Sequence, residues 1–228
     1  KYDHRPFETI LEDILGSVTL KQALTSVLIT AYDTENRAPM FFKNRPTSPE
    51  WKSDPDFLMR DIARATSAAP TYFEPARIGH FPDTGKRYTL VDGGVFANNP
   101  AMCAYVEARK LFPREKRFFI LSLGTGSADR PYRYEQVRGW GYIDWISPAL
   151  GVPLSSVMTD GQSDCVDHQL TKLPGVTFLR INGLLDGCSD LLDDASPENI
   201  RNLKGMARGL IGRFDAEIDR LCDILGKR

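Results

Sequence analysis

The sequence predicts an α/β fold built on a layered sheet. Helical apolar periodicity alternates with short β-branched runs through the first half of the chain, the pattern of strands covered by helices. With 228 residues the chain is long enough to bury a core without disulfides or metal. Hydrophobic residues at 42% and charged residues at 26% are ordinary proportions for a globular protein.

Each element has its own signature. Phe7, Ile10, Leu11, Ile14 and Leu15 recur at helical spacing, and Gly16 supplies the stop. Residues 27–32 form an apolar strand ending at Asp33, with Met40, Phe41 and Phe42 as a hairpin partner. Pro46, Ser48, Pro49 and Ser53 mark a loop. Asp54 reads as an N-cap and Pro55 as the first residue of a helix that turns Phe57, Leu58, Ile62 and Ala65 inward. Pro70 closes it, leaving a small-residue corner at 67–70. Residues 88–91 are a strand running into Asp92-Gly93-Gly94. Asn98-Asn99-Pro100 caps a helix reaching about Leu111. Residues 117–123 are a continuous apolar strand closed by Gly124-Thr125-Gly126.

Beyond Ser127, residues 132–142 read as a polar, aromatic surface loop, 145–150 and 156–173 as helical, and 176–181 as a strand. From Ser196-Pro197 onward apolar residues hold helical spacing to the end. Gly205, Gly209 and Gly212 weaken that helix and split it. No repeat or linker appears, so one domain is the simplest organisation.

Composition excludes several functions. The 29 basic and 30 acidic residues give a net charge of -1, which leaves no broad nucleic-acid surface. No run of about 18 apolar residues spans a membrane. Cys103, Cys165, Cys188 and Cys222 form no C-x-x-C pair, and His4, His80 and His168 stand outside metal-ligand spacing. Neither a metal nor another cofactor is expected. Scattered cysteines and no signal-peptide stretch point to buried thiols in the reducing cytoplasm. The chain starts at Lys1, not Met, so further polypeptide is expected ahead of it.

Chemistry in such a fold gathers at the carboxyl ends of strands. Asp92 sits at one, followed by two glycines that leave its carboxylate approachable. It reads either as an acceptor for a hydroxyl proton or as a plain Asp-Gly turn. Gly124-Thr125-Gly126 reads as a tight turn, or as an anion cradle. Asp33 reads as an exposed turn residue. No G-x-S-x-G occurs in the chain, and His80 and His168 read as surface or packing residues, so no Ser-His-Asp triad assembles. Cys103 reads as a core residue.

Three motifs then converge. Ala65-Thr-Ser-Ala-Ala-Pro-Thr-Tyr-Phe-Glu-Pro75, Leu90-Val-Asp-Gly-Gly-Val-Phe-Ala-Asn-Asn-Pro100 and Leu121-Ser-Leu-Gly-Thr-Gly126 resemble, in order and spacing, the patatin-like phospholipase family. The resemblance implies a three-layer α/β/α fold around a mainly parallel sheet, of which residues 1–228 are the C-terminal part of a single domain. It implies a lipid acyl hydrolase with a Ser–Asp dyad, acting on a lipid acyl ester and touching the membrane peripherally. By residue match Asp92 is the dyad aspartate, with Gly93 and Gly94 completing the motif. The serine elbow and oxyanion loop are expected on a preceding N-terminal segment, so these residues alone are expected to be inactive. Tyr72, Phe73, Phe96 and Phe81 are candidates for an acyl groove, or core packing. Two other readings stand beside the hydrolase: a non-catalytic regulatory or interaction module of the same fold, and a nucleotide-responsive protein using Gly124-Thr125-Gly126.

Overall fold

The computed structural model describes residues 2–44, 54–128 and 130–226. The expected loop residues Pro46, Ser48, Pro49 and Ser53 lie outside these. Two compact units are present: Lys1–Lys116 with Gly161–Gln169, and Arg117–Asp160 with Leu170–Arg228.

The first unit opens with α1 (Arg5–Leu15), which stops at Gly16 with φ +50°. That left-handed value suits glycine alone without strain. Strand β1 (Val27–Asp33) turns into β2 (Ala38–Asn44) as an antiparallel hairpin, pairing Val27 with Asn44 and Asp33 with Ala38. Helix α2 (Met59–Thr66) follows, then β3 (Ala76–Gly79) and β4 (Arg87–Asp92). The sheet order is β2-β1-β4-β3, antiparallel throughout.

Helices flank both faces of this sheet. Successive strand residues point to opposite sides. Ala31 faces the core it shares with Ile62 and Ala65 of α2, all three fully buried. Thr30 faces the other side, where Gly93 and α3 (Gly94–Ala97) lie against it. Phe42, Phe57 and Leu90 complete the core. Each such large apolar side chain stabilises the fold by about 1.5–3 kcal/mol relative to exposure. Helix α4 (Ala101–Leu111) follows α3.

The second unit holds β5 (Phe118–Leu123) and β6 (Val176–Ile181), paired in parallel from Phe118–Val176 to Leu123–Ile181. Short helices α5 (Tyr134–Val137) and α6 (Tyr142–Ile146) precede α7 (Pro153–Lys172), whose residues 161–169 count with the first unit. Helix α8 (Pro197–Arg213) starts at Ser196, whose hydroxyl accepts the Asn199 N–H. It breaks at Phe214 before α9 (Asp215–Gly226), two residues beyond Gly212, as the glycines lead one to expect.

Several expectations need correction. Parallel order is confined to β5–β6 among the described strands; tight connections make β1–β2 and β3–β4 antiparallel neighbours instead. Helix α2 begins at Met59, not near Asp54. The Asp56 carboxylate accepts the N–H groups of Lys21 and Phe57, and the Phe57 carbonyl accepts the Leu20 N–H, which holds this segment out of the helix. Strand β3 carries no apolar run long enough to announce it. The surface loop at 132–142 contains α5. In β5, Phe119, Leu121 and Leu123 are exposed, so only alternate residues face inward. Asp33 is buried, not exposed, because its carboxylate turns onto the N–H groups of Glu35 and Asn36. The thiols are not buried as a set: Cys165 and Cys222 are exposed, Cys103 and Cys188 half-buried.

Candidate active site

The corner around Asp92 draws on three segments. Asp92 is the last residue of β4 and the cross-strand partner of Ala31 in β1. Its N–H donates to the Ala68 carbonyl at 3.0 Å, anchoring the strand end to the corner that follows α2. Its Oδ1 accepts the Gly94 N–H at 2.7 Å. Among the described residues, Oδ2 takes no hydrogen bond. Burial pushes the Asp92 carboxyl above the ordinary carboxylate range, and the Gly94 N–H pulls it back in part.

The two glycines serve space, not a positive φ. Gly93 has helical dihedrals, φ -67° and ψ -14°. A Cβ there would fall onto the Thr30 side chain and lie 2.5 Å from the Thr30 carbonyl carbon. At Gly94 a Cβ would stand 3.2 Å from Asp92 Oδ1. The motif therefore lets the turn press onto β1 and keeps the approach to the carboxylate open.

Asn99 fixes the next turn. It is buried, and its Nδ2 donates to Asp167 Oδ1 at 2.8 Å while its Oδ1 accepts the Ala101 N–H. Its own N–H donates to Gln162 Oε1 at 3.0 Å. The sequence marks this residue only as a cap; its ties to residues 162 and 167 span too much chain to be read there.

The aromatic candidates separate. Phe96 packs against Tyr32 and Phe41, with the Phe41 ring edge-on at 5.7 Å. Phe73 stacks on Phe7 at 5.7 Å and meets Tyr2, a packing role beside α1. Tyr72 holds the start of the chain by accepting the Tyr2 N–H at its carbonyl. Phe81 is exposed.

The other strand ends are occupied. The N–H groups of Gly124, Gly126 and Ser127 donate to Ile181 O, Asn182 Oδ1 and Gly183 O. Those three amides hold the chain after β6 and are not offered to an anion. His80 bonds Tyr88 and Thr84 and packs edge-on to Phe57. His168 is exposed on α7. No group of three or more His, Cys, Asp or Glu residues poised for a metal ion occurs among the described residues, and no described helix is long and apolar enough to cross a membrane.

Fold and corner together define a mixed α/β protein that presents a half-buried carboxylate at the end of a core strand. Comparison with known sequences shows which proteins it resembles. The patatin-like phospholipase family profile matches residues 1–105. Patatin-like protein 2 of Oryza sativa subsp. indica is 31% identical across the whole chain, which covers 62% of that relative. Patatin-like protein 2 of Arabidopsis thaliana is 34% identical over 88% of the chain and 54% of its own length. A Solanum tuberosum protein named probable inactive patatin-3-Kuras 1 is 31% identical over 95% of the chain and 62% of its own length. The chain is thus similar to patatin-like proteins along nearly its whole length, and it spans 62% or less of the length of these relatives.

Proposed function

We propose that the chain supplies the aspartate of a Ser–Asp dyad in a lipid acyl hydrolase. The serine comes from a part of the full-length protein outside these 228 residues, since they contain no G-x-S-x-G. The observation that carries the reading is the state of Asp92. It is fixed at a core strand end, raised in basicity by burial, and bonded through Oδ1 while Oδ2 takes no partner among the described residues.

The chemistry follows from that state. The serine hydroxyl gives its proton to the Asp92 carboxylate as its oxygen attacks the ester carbonyl. The resulting oxyanion requires donors, which the same outside polypeptide provides. Collapse expels the alcohol, which takes the proton from Asp92. Water then attacks the acyl-serine, Asp92 again accepts a proton, and the fatty acid leaves as serine is restored. A carboxyl raised above its ordinary range is a better base for this than a solvated one. Of the aromatic candidates, Phe96, four residues beyond Asp92, is the best placed for an acyl chain; Tyr72 and Phe73 have structural partners. Helices on both faces of the four-stranded sheet support a three-layer α/β/α arrangement in the complete domain, and a lipid substrate entails peripheral membrane contact.

The test uses the full-length protein with a p-nitrophenyl acyl ester and with phospholipid vesicles. Asp92→Asn is expected to lower turnover by roughly 10²–10⁴, the range for loss of a general base. Undiminished turnover removes Asp92 from the mechanism. The non-catalytic module reading has one observation in its favour, a relative named as probably inactive. It prevails if the wild-type full-length protein hydrolyses neither substrate.

A further inference from the structure

A closed ring of contacts surrounds the Asp92 corner, and one of its links is a side-chain hydroxyl. Thr66, the last residue of α2, donates its hydroxyl to the main-chain carbonyl of Thr30 at 2.7 Å. The next residue along β1, Ala31, is the cross-strand partner of Asp92. The Asp92 N–H returns to the Ala68 carbonyl at 3.0 Å, two residues beyond Thr66. Gly93 seals the ring by lying against Thr30 with no room for a Cβ. The ring thus runs from Thr66 to Thr30 and Ala31, across to Asp92, and back through Ala68.

We propose that Thr66 is a positioning residue: its hydroxyl bond to Thr30 fixes the separation between the α2 corner and β1, and so the position of the Asp92 carboxylate. This inference rests on the reading of Asp92 as the base. Two features single out Thr66. Its bond joins β1 and the corner, the two segments that flank Asp92 in this ring. It is also a side-chain bond, so it can be removed without changing any main-chain pairing. Among the described residues the carboxylate itself accepts one hydrogen bond, from the Gly94 N–H, so its placement follows the strand end that carries it. A shift of about 1 Å in a reacting group can cost on the order of 100-fold in rate.

The experiment measures kcat and KM of the full-length protein for Thr66→Val, Thr66→Ser and Asp92→Asn, with thermal melts of each. Valine keeps the shape and removes the donor; serine restores the donor. The expected result is a kcat lower by roughly 10- to 100-fold in Thr66→Val, an unchanged KM, and recovery of most turnover in Thr66→Ser. Wild-type kcat in Thr66→Val overturns the proposal. So does a loss of kcat in Thr66→Ser equal to that in Thr66→Val, because it tracks bulk and not the hydrogen bond. Thr66→Ala carries the same test should the valine protein fail to fold. If Asp92→Asn keeps full turnover, the reading of the base fails and this inference with it. If Asp92→Asn is inactive and Thr66→Val is not impaired, only the positioning role fails.

Discussion

Gly93 lies so close to β1 that an added Cβ would stand 2.5 Å from the carbonyl carbon of Thr30. The contact is with main chain as well as side chain, so trimming Thr30 cannot relieve it. Gly93→Ala is therefore expected to destabilise the protein by about 1–3 kcal/mol through overpacking, although alanine suits the local dihedrals. Denaturant unfolding of the single variant and of Gly93→Ala with Thr30→Ser checks this: the second change should recover little.

Burial of Asp92 has a signed consequence for stability. Its folded-state carboxyl is raised above the unfolded value, so between the two pKa values the folded protein binds more protons than the unfolded one. Stability then falls as pH rises through that window, and the deficit persists above it. Asp92→Asn, which keeps an oxygen for the Gly94 N–H, should raise the melting temperature at pH 7. It should leave the melting temperature near wild type below the ordinary carboxylate range. Melts across that pH span test the sign. Asp61, also raised chiefly by burial, gives the same direction when changed to Asn.

Asn99 holds the turn after the glycine motif through bonds to Gln162, Asp167 and Ala101. Asn99→Ala removes the side-chain bonds to Asp167 and Ala101 while the main-chain bond to Gln162 stays, and should cost about 1–3 kcal/mol. In the full-length protein it should also reduce turnover. Equilibrium unfolding reads the first effect.

Lys43 Nζ meets Glu107 Oε2 at 2.6 Å, with the carboxylate side chain only 11% exposed. Removing the cation leaves charge in a poorly solvated place. Lys43→Met is expected to destabilise by about 1–3 kcal/mol, the range for loss of a charged hydrogen bond. The double change with Glu107→Leu should recover much of that loss, which a double-mutant cycle measures.

The elements that read correctly from sequence are those whose signal is local. Apolar spacing in α1 with Gly16 behind it, the β-branched run of β1, and Ser196-Pro197 before α8 each carry their own cause. The start of α2 did not, because a reasonable cap at Asp54 is outcompeted by pairing of Phe57 with Leu20, residues far apart in the chain. Strand β3 has only Ile78 as a large apolar residue, and its order comes from its neighbour β4. At the corner, Asp92-Gly93-Gly94 is legible as a motif, yet sequence attributes the glycines to turn freedom where the structure shows close approach. The contacts of Thr66 with Thr30 and of Asn99 with Asp167 are spatial and leave no trace in spacing.

The central claim is that Asp92 accepts the proton of a serine nucleophile, and its most direct test is the rate of acylation. Full-length wild-type protein and Asp92→Asn are mixed rapidly with a p-nitrophenyl acyl ester, and the first-turnover release of nitrophenolate is followed. The account predicts a burst in the wild type and first-turnover release slower by about 10² or more in the variant. Equal burst rates in the two proteins would contradict it.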